Sequence, residues 1–195
     1  MSRLDKFLAE LQQQELLIMF EQGKHIINLI NTDLESLVEE LTATLQSLID
    51  KASYLQKENK KNKICFISFS ILLSSIIQDE YSYGINLYDE NFLVDDNEVF
   101  LEWNIKKIFR DLKQDLVQSK KILQKKFIKI KDYELIEIKH KYIVNNYAIF
   151  QEFLVFLIPL TLEKVDISQL TCSNEILFTS GLYMDKQAEF YKWEI

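Results

Sequence analysis

A chain of 195 residues with 48% hydrophobic and 27% charged side chains carries enough apolar surface for one core, which excludes disorder along its whole length. Three glycines, one proline and two cysteines exclude a turn-dense all-β architecture and a disulfide framework, and they favour long helices. The formal net charge of −7 is unevenly spread: residues 1–103 hold 8 basic and 18 acidic side chains, residues 104–131 hold 10 and 2, and residues 132–195 hold 5 and 10.

The first residues include Asp5, Glu10 and a run of glutamines where a signal peptide needs an apolar segment, so a cytoplasmic protein is expected. Leu4, Phe7, Leu8, Leu11 and Ile18 recur with a helical period and predict a helix over 4–22, ended by Gly23 as a left-handed cap. Asn31, Thr32 and Asp33 supply N-cap chemistry for a second helix over 33–60, whose stripe is Leu34, Leu37, Val38, Leu41, Leu45, Leu48, Ala52 and Leu55. Within it Leu34, Leu41, Leu48 and Leu55 form a heptad, which raises a homodimer through helix 33–60. The companion series at +4 widens the stripe and favours burial in a core.

Residues 64–77 are ambiguous. Cys65, Ile67, Phe69, Ile71 and Leu73 alternate as in a strand, but the length without glycine or proline favours a buried helix, which is the preferred reading. This run and the apolar run at 148–160 are both shorter than the roughly 18 to 20 residues that span a bilayer, so no membrane is expected. Aromatic and β-branched residues at 81–88 and 99–103 predict a hairpin, with the acidic stretch 89–98 as its loop. From Asn104, a stripe of Ile105, Ile108, Phe109, Leu112, Leu116, Leu123 and Phe127 predicts a helix to about residue 126. Another helix follows over 132–158, ended by Pro159. Two strand-like runs around Met184 close the chain as a second hairpin able to pair with the first. The expected fold is thus α+β and mostly helical: a single domain over 1–195, helical at 1–77, a hairpin at 80–103, helical at 104–160 and a C-terminal hairpin at 174–195.

Motifs that carry chemistry are scarce. The isolated glycines exclude a phosphate-cradling loop, and His25 and His140 lack partners at zinc-helix spacing, so no cofactor, metal or catalytic residue is assigned. Glu137-Ile138-Lys139 matches the ExK half of a metal-dependent nuclease core, and Asp89, Glu90, Asp95, Asp96 and Glu98 are numerous enough to gather a cation. A metal-dependent hydrolase using Asp95, Asp96, Glu98 or Glu137 is therefore an alternative reading, and a self-associating helical protein is another.

The leading expectation is a non-enzymatic binding or regulatory protein, such as an acidic inhibitor or immunity-type protein that neutralises a protein partner. Tyr81, Tyr83, Tyr88, Phe92 and Trp103, with Asp95 and Asp96, have the mixed character of interface anchors. Lys106, Lys107, Arg110, Lys113, Lys120 and Lys121 lie off the apolar stripe of the basic helix 104–131 and face solvent or an acidic partner. Nucleic acid is the less favoured partner for that helix, because the rest of the chain repels a polyanion.

Overall fold

The computed structural model describes residues 2–78, 80–109 and 111–195. The chain begins with helix α1 (Arg3–Thr32), whose first turn is closed by a capping box: the Ser2 hydroxyl accepts from the Asp5 amide and the Asp5 carboxylate accepts from the Ser2 amide. One face of α1 buries Phe7, Leu11, Ile18, Ile26 and Leu29. The helix passes straight through Gly23, which keeps a negative φ, because Ile26 and Leu29 extend the buried stripe beyond it. Helix α2 (Leu34–Lys57) folds back after Asp33, and Leu37, Leu41, Leu45, Leu48 and Ala52 are fully buried. The leucine heptad of this helix is therefore consumed by the chain's own core.

Residues 64–77 correct the helical expectation. They form strand β1 (Ile64–Ile71) and a five-residue helix, α3 (Leu73–Ile77). The alternation was the true signal: Ile67, Phe69 and Ile71 face the helices, while Ser68 and Ser70 face the other way and hydrogen-bond there. Strands β2 (Ser82–Tyr88) and β3 (Val99–Asn104) make the expected hairpin, with a short 3-10 turn at Phe92–Val94 in its loop. The basic helix begins later than its stripe suggests. Residues 105–109 form a turn in which Ile105, Ile108 and Phe109 are buried, as is Leu112, and the helix of the basic stretch is α4 (Lys113–Gln124). Asn104 does not cap a helix: its side-chain oxygen accepts from the Lys106 amide in a local turn.

Helix α5 (Asp132–Leu162) runs past Pro159, whose missing amide leaves the Val155 carbonyl without its usual i→i−4 bond near the helix end. It is long and apolar enough to cross a bilayer, yet Ile138, Tyr142, Phe150, Phe153, Leu154 and Leu157 are buried in the core. Strands β4 (Cys172–Leu182) and β5 (Gln187–Glu194) form the second hairpin.

The fold is α+β, with five α-helices among the described residues and one mixed sheet in the order β3-β2-β1-β4-β5. The two hairpins do not pair with each other directly; β1 joins them, antiparallel to β2 and parallel to β4, so that Ile67 lies between Leu87 and Phe178. Helices α2 and α5 lie over one face of this sheet, α1 packs on α5 and α2, and α4 lies against α1 and α5. At its centre the fully buried Phe150 ring meets Tyr83 (4.6 Å), Phe109 (5.6 Å), Trp103 (6.3 Å) and Phe153 (6.2 Å). Phe150→Ala should destabilise the protein by about 3–5 kcal/mol, through lost burial and the cavity left among four rings. Urea denaturation measures this, and a loss below about 1 kcal/mol would show that helix and sheet do not meet here.

Candidate functional site

The hairpin aromatics expected to anchor a partner are for the most part inside the protein. Tyr83 and Trp103 face α5, and Tyr81 stacks on Phe109 with the Lys139 ammonium over its ring. Tyr88 lies on the opposite sheet face and packs against Phe92 at 5.2 Å, and Phe92 in turn packs against Phe66 at 4.7 Å. These four side chains are at most 6% exposed, which corrects the expectation that they form a surface patch. The physical reason is the strand period: a face with Tyr83, Ile85 and Leu87 is the one a helix layer covers, and composition alone does not say which face that is.

The acidic stretch 89–98 is also spoken for. The ammonium of Lys61 and the carboxylate of Asp95 form an ion pair with side-chain exposures of 0% and 2%. Lys61 donates further to the Asn97 carbonyl at 2.8 Å, and Asp95 accepts from the Asp89 and Asn97 amides at 3.2 and 3.0 Å. Glu98 accepts from Asn86 at 2.7 Å and from the Tyr183 hydroxyl at 2.9 Å. The loop is thereby strapped to the sheet face that no helix covers among the described residues, and of the acidic residues singled out in it Glu90, Asp96 and Glu98 stay exposed. Among the described residues no three His, Cys, Asp or Glu side chains are grouped so as to hold a metal ion. Glu137-Ile138-Lys139 lies on α5, where Ile138 enters the core and Glu137 points outward.

Of the basic residues, Lys106 and Lys107 sit in the turn before α4, and Arg110 lies outside the described residues. Lys107 reaches back to α2 and pairs with Asp33 (3.1 Å) and Glu40 (2.5 Å); partial burial opposes its charge, but bonds to the two carboxylates leave its pKa raised. Lys126 pairs with Glu10 on α1. Lys113, Lys120 and Lys121 on α4 make no ion pair among the described residues.

The structure brings together a groove that sequence reasoning missed. Leu73 and Ile77 of α3 and Ile136, Glu137, Lys139 and His140 of α5 line a cavity of about 150 Å³. A second hollow of about 250 Å³ adjoins it, formed by Leu116, Val117 and Lys120 of α4 with Leu135, Ile136 and Lys139. Ile136 and Lys139 are shared, so the two form one trough. Leu73, Ile77, Val117 and Ile136 are 39%, 61%, 55% and 46% exposed along it.

Local chemistry positions each wall. The Ser75 hydroxyl donates to the Leu72 carbonyl at 2.7 Å and accepts from the Ser82 amide at 3.0 Å, which ties α3 to the start of β2. The Glu134 carboxylate accepts from the Lys131 amide at 2.8 Å and pairs with Arg3 at 2.8 Å, which fixes the start of α5. The Ser119 and Tyr142 hydroxyls, 2.8 Å apart and buried, hold α4 to α5. In the trough the buried Nε2 of His140 has no hydrogen-bond partner among the described residues, whereas His25 Nε2 meets the Lys107 carbonyl at 2.8 Å. The signal for this site was present in the sequence as apolar residues off the main stripes, Val117 beside Leu116 and Ile136 one turn before His140.

Both cysteines are free thiols. Cys172 packs against the core, Cys65 donates to the Lys63 carbonyl at 3.6 Å, and burial pushes both thiols up.

Two measurements test this description. Lys61→Met, which strands a buried carboxylate, should cost about 3–5 kcal/mol, whereas Lys61→Met combined with Asp95→Leu should recover most of that loss; a loss within about 1 kcal/mol for the single change would mean that the strap is not held by this pair. Burial, aided by Glu98, pushes Tyr88 up to about 12, and burial pushes Tyr142 up to about 12. A phenol in the unfolded chain ionises near 10, so the fold favours the neutral form. This contribution is complete below about pH 10 and is lost as the pH rises toward 12, which predicts alkaline unfolding in that window. Tyrosinate absorbance followed together with circular dichroism reads it out, and titration of all nine tyrosines near pH 10 with the fold intact would contradict it.

No family model, characterised protein or solved structure matches this chain.

Proposed function

We propose that this chain is a non-enzymatic protein-binding module that seats an acidic, partly apolar segment of a protein partner in the trough between α3, α4 and α5. The observation that carries this reading is the coincidence of four exposed apolar side chains, Leu73, Ile77, Val117 and Ile136, with Lys120 in the trough and with Lys113 and Lys121 on the neighbouring hollow that Val117 also lines. Scattered exposed apolar residues need no explanation, but a contiguous set rimmed by charge is the anatomy of an interface.

Charge selects the partner. Lys113, Lys120 and Lys121 lie along α4, and among the described residues Glu137 is the one acidic side chain lining the two hollows. An acidic segment is attracted to this rim, while the acidic remainder of the chain repels nucleic acid. The two hollows share Ile136 and Lys139 and run from α3 across α5 to α4 as an open trough, not an enclosed cavity, which suits the ridge of an amphipathic helix. An inhibitor-type role through the acidic hairpin is less well supported, because its aromatic anchors are internal.

Three peptides with the same leucine stripe, carrying glutamate, glutamine or lysine on the polar face, discriminate these features. The glutamate peptide should bind tightest, lose affinity with added salt, and bind at least about tenfold more weakly to the Ile136→Glu protein. Equal binding of the lysine peptide, or no effect of Ile136→Glu, would remove this site from consideration.

A further inference from the structure

The structure assigns a second interaction surface, on α1, to a second copy of this chain, packed antiparallel across Gly23. Phe7, Leu11, Ile18, Ile26 and Leu29 turn one side of this helix into the core. The opposite side is also apolar: Leu16, Leu17, Phe20 and Ile27 are 61%, 52%, 60% and 61% exposed. Residues 16, 20, 23 and 27 follow the +4, +3, +4 spacing of a helix-packing stripe, directly opposite the buried one. Four large side chains each more than half exposed make a patch of the few-hundred-Å² class that marks an interaction site.

Gly23 identifies the occupant. It lies inside a 30-residue helix with a negative φ, so no turn or cap requires it, and a Cβ built there meets nothing within 4 Å. Glycine in a helix interior costs about 1 kcal/mol relative to alanine, a cost that nothing within the chain offsets. A gap at that point lets another helix approach closely. In an antiparallel pair centred between residues 21 and 22, Phe20 of each copy lies opposite Gly23 of the other, and Leu16 lies opposite Ile27. The largest side chain of the stripe thus fills the gap over the smallest, twice, as a two-fold interface demands.

Charge agrees with the same arrangement. Lys24 and Glu21 lie on one flank of the stripe, 3.0 Å apart within the helix, and the Lys24 ammonium sits 4.3 Å from the Phe20 ring centre. Antiparallel packing brings like flanks together, so Lys24 of each copy falls beside Glu21 of the other. Parallel packing would set that flank against Met19 and Gln12, which offer no counter-charge. A lipid surface is a poorer occupant, because Glu10, Glu15 and Glu21 punctuate this helix.

Sedimentation of the full chain from about 1 to about 500 μM should show a monomer–dimer equilibrium, weakened at least about tenfold by Phe20→Glu and by Gly23→Leu. Gly23→Leu should at the same time raise the melting temperature of the monomer, since only the dimer needs the gap. Orientation is read in a C65S/C172S background: the Leu16→Cys and Ile27→Cys chains, mixed and oxidised, should give the mixed disulfide in preference to either symmetric one. A monomer throughout this range, a dimer indifferent to both substitutions, or a preference for symmetric disulfides would each overturn the proposal.

Discussion

The constraint on which the rest of this structure depends is the position of β1 between β2 and β4. β1 is paired on both edges at the centre of the five-stranded sheet and is buried on both faces from Ile67 to Ile71, although among the described residues only one face has helices over it. Toward the helices β1 presents Ile67, Phe69 and Ile71, and toward the bare side Ser68 and Ser70, which are 1% and 4% exposed. The cover on the bare side is built from loops. Phe92 is placed against Phe66 and Tyr88, Phe100 lies over Gly84, and Tyr183 reaches Glu98. A side chain at Gly84 would meet the Phe100 ring at 2.5 Å, so this glycine serves close approach.

Such a cover has costs that show in the coordinates. Phe92 takes a left-handed backbone with φ of 53°, a conformation worth roughly 1–2 kcal/mol against a non-glycine residue. The Oδ1 of Asn86 and the hydroxyl of Thr179 are buried without hydrogen-bond partners among the described residues, each at about 1–3 kcal/mol. The Lys61–Asp95 pair belongs to the same account. A buried pair gains little over apolar packing, but it is specific about geometry, and here it ties Lys61, in the link between α2 and β1, to the loop that covers β1.

Periodicity made the long elements legible and left the short ones obscure. The second helix, the first hairpin and the last hairpin stand within a few residues of where their patterns put them, because each pattern persists over several repeats. Residues 64–77 failed because a strand buried on both faces has lost the polar alternation that separates it from a buried helix; the serines were the remaining clue. Residues 105–109 failed for a different reason: Ile105 and Ile108 have the helical spacing of the stripe yet are buried by a turn whose Phe109 ring packs on Phe150 of α5. Gly23 and Pro159 mark the limits of reading single residues as stops, since buried residues beyond each carry the helix onward. The trough was illegible as a site because it joins α3, α4 and α5, residues up to 67 positions apart, and only the fold sets Leu73 beside Ile136 and His140.

The distribution of charge separates what stabilises this protein from what addresses other molecules. Lys107 and Lys126 are spent on carboxylates of α2 and α1, so part of the excess positive charge at 104–131 answers the excess negative charge at 1–103 within the chain. Exposed pairs of this kind contribute about 0–1 kcal/mol each, far less than the burial of one aromatic ring under α5. The fold would survive without them. Among the described residues Lys113, Lys120 and Lys121 make no such pairs, and they repel one another along one short helix. In the proposed reading, an acidic surface docked beside exposed Val117 and Ile136 would remove that mutual repulsion and gain apolar contact in the same step.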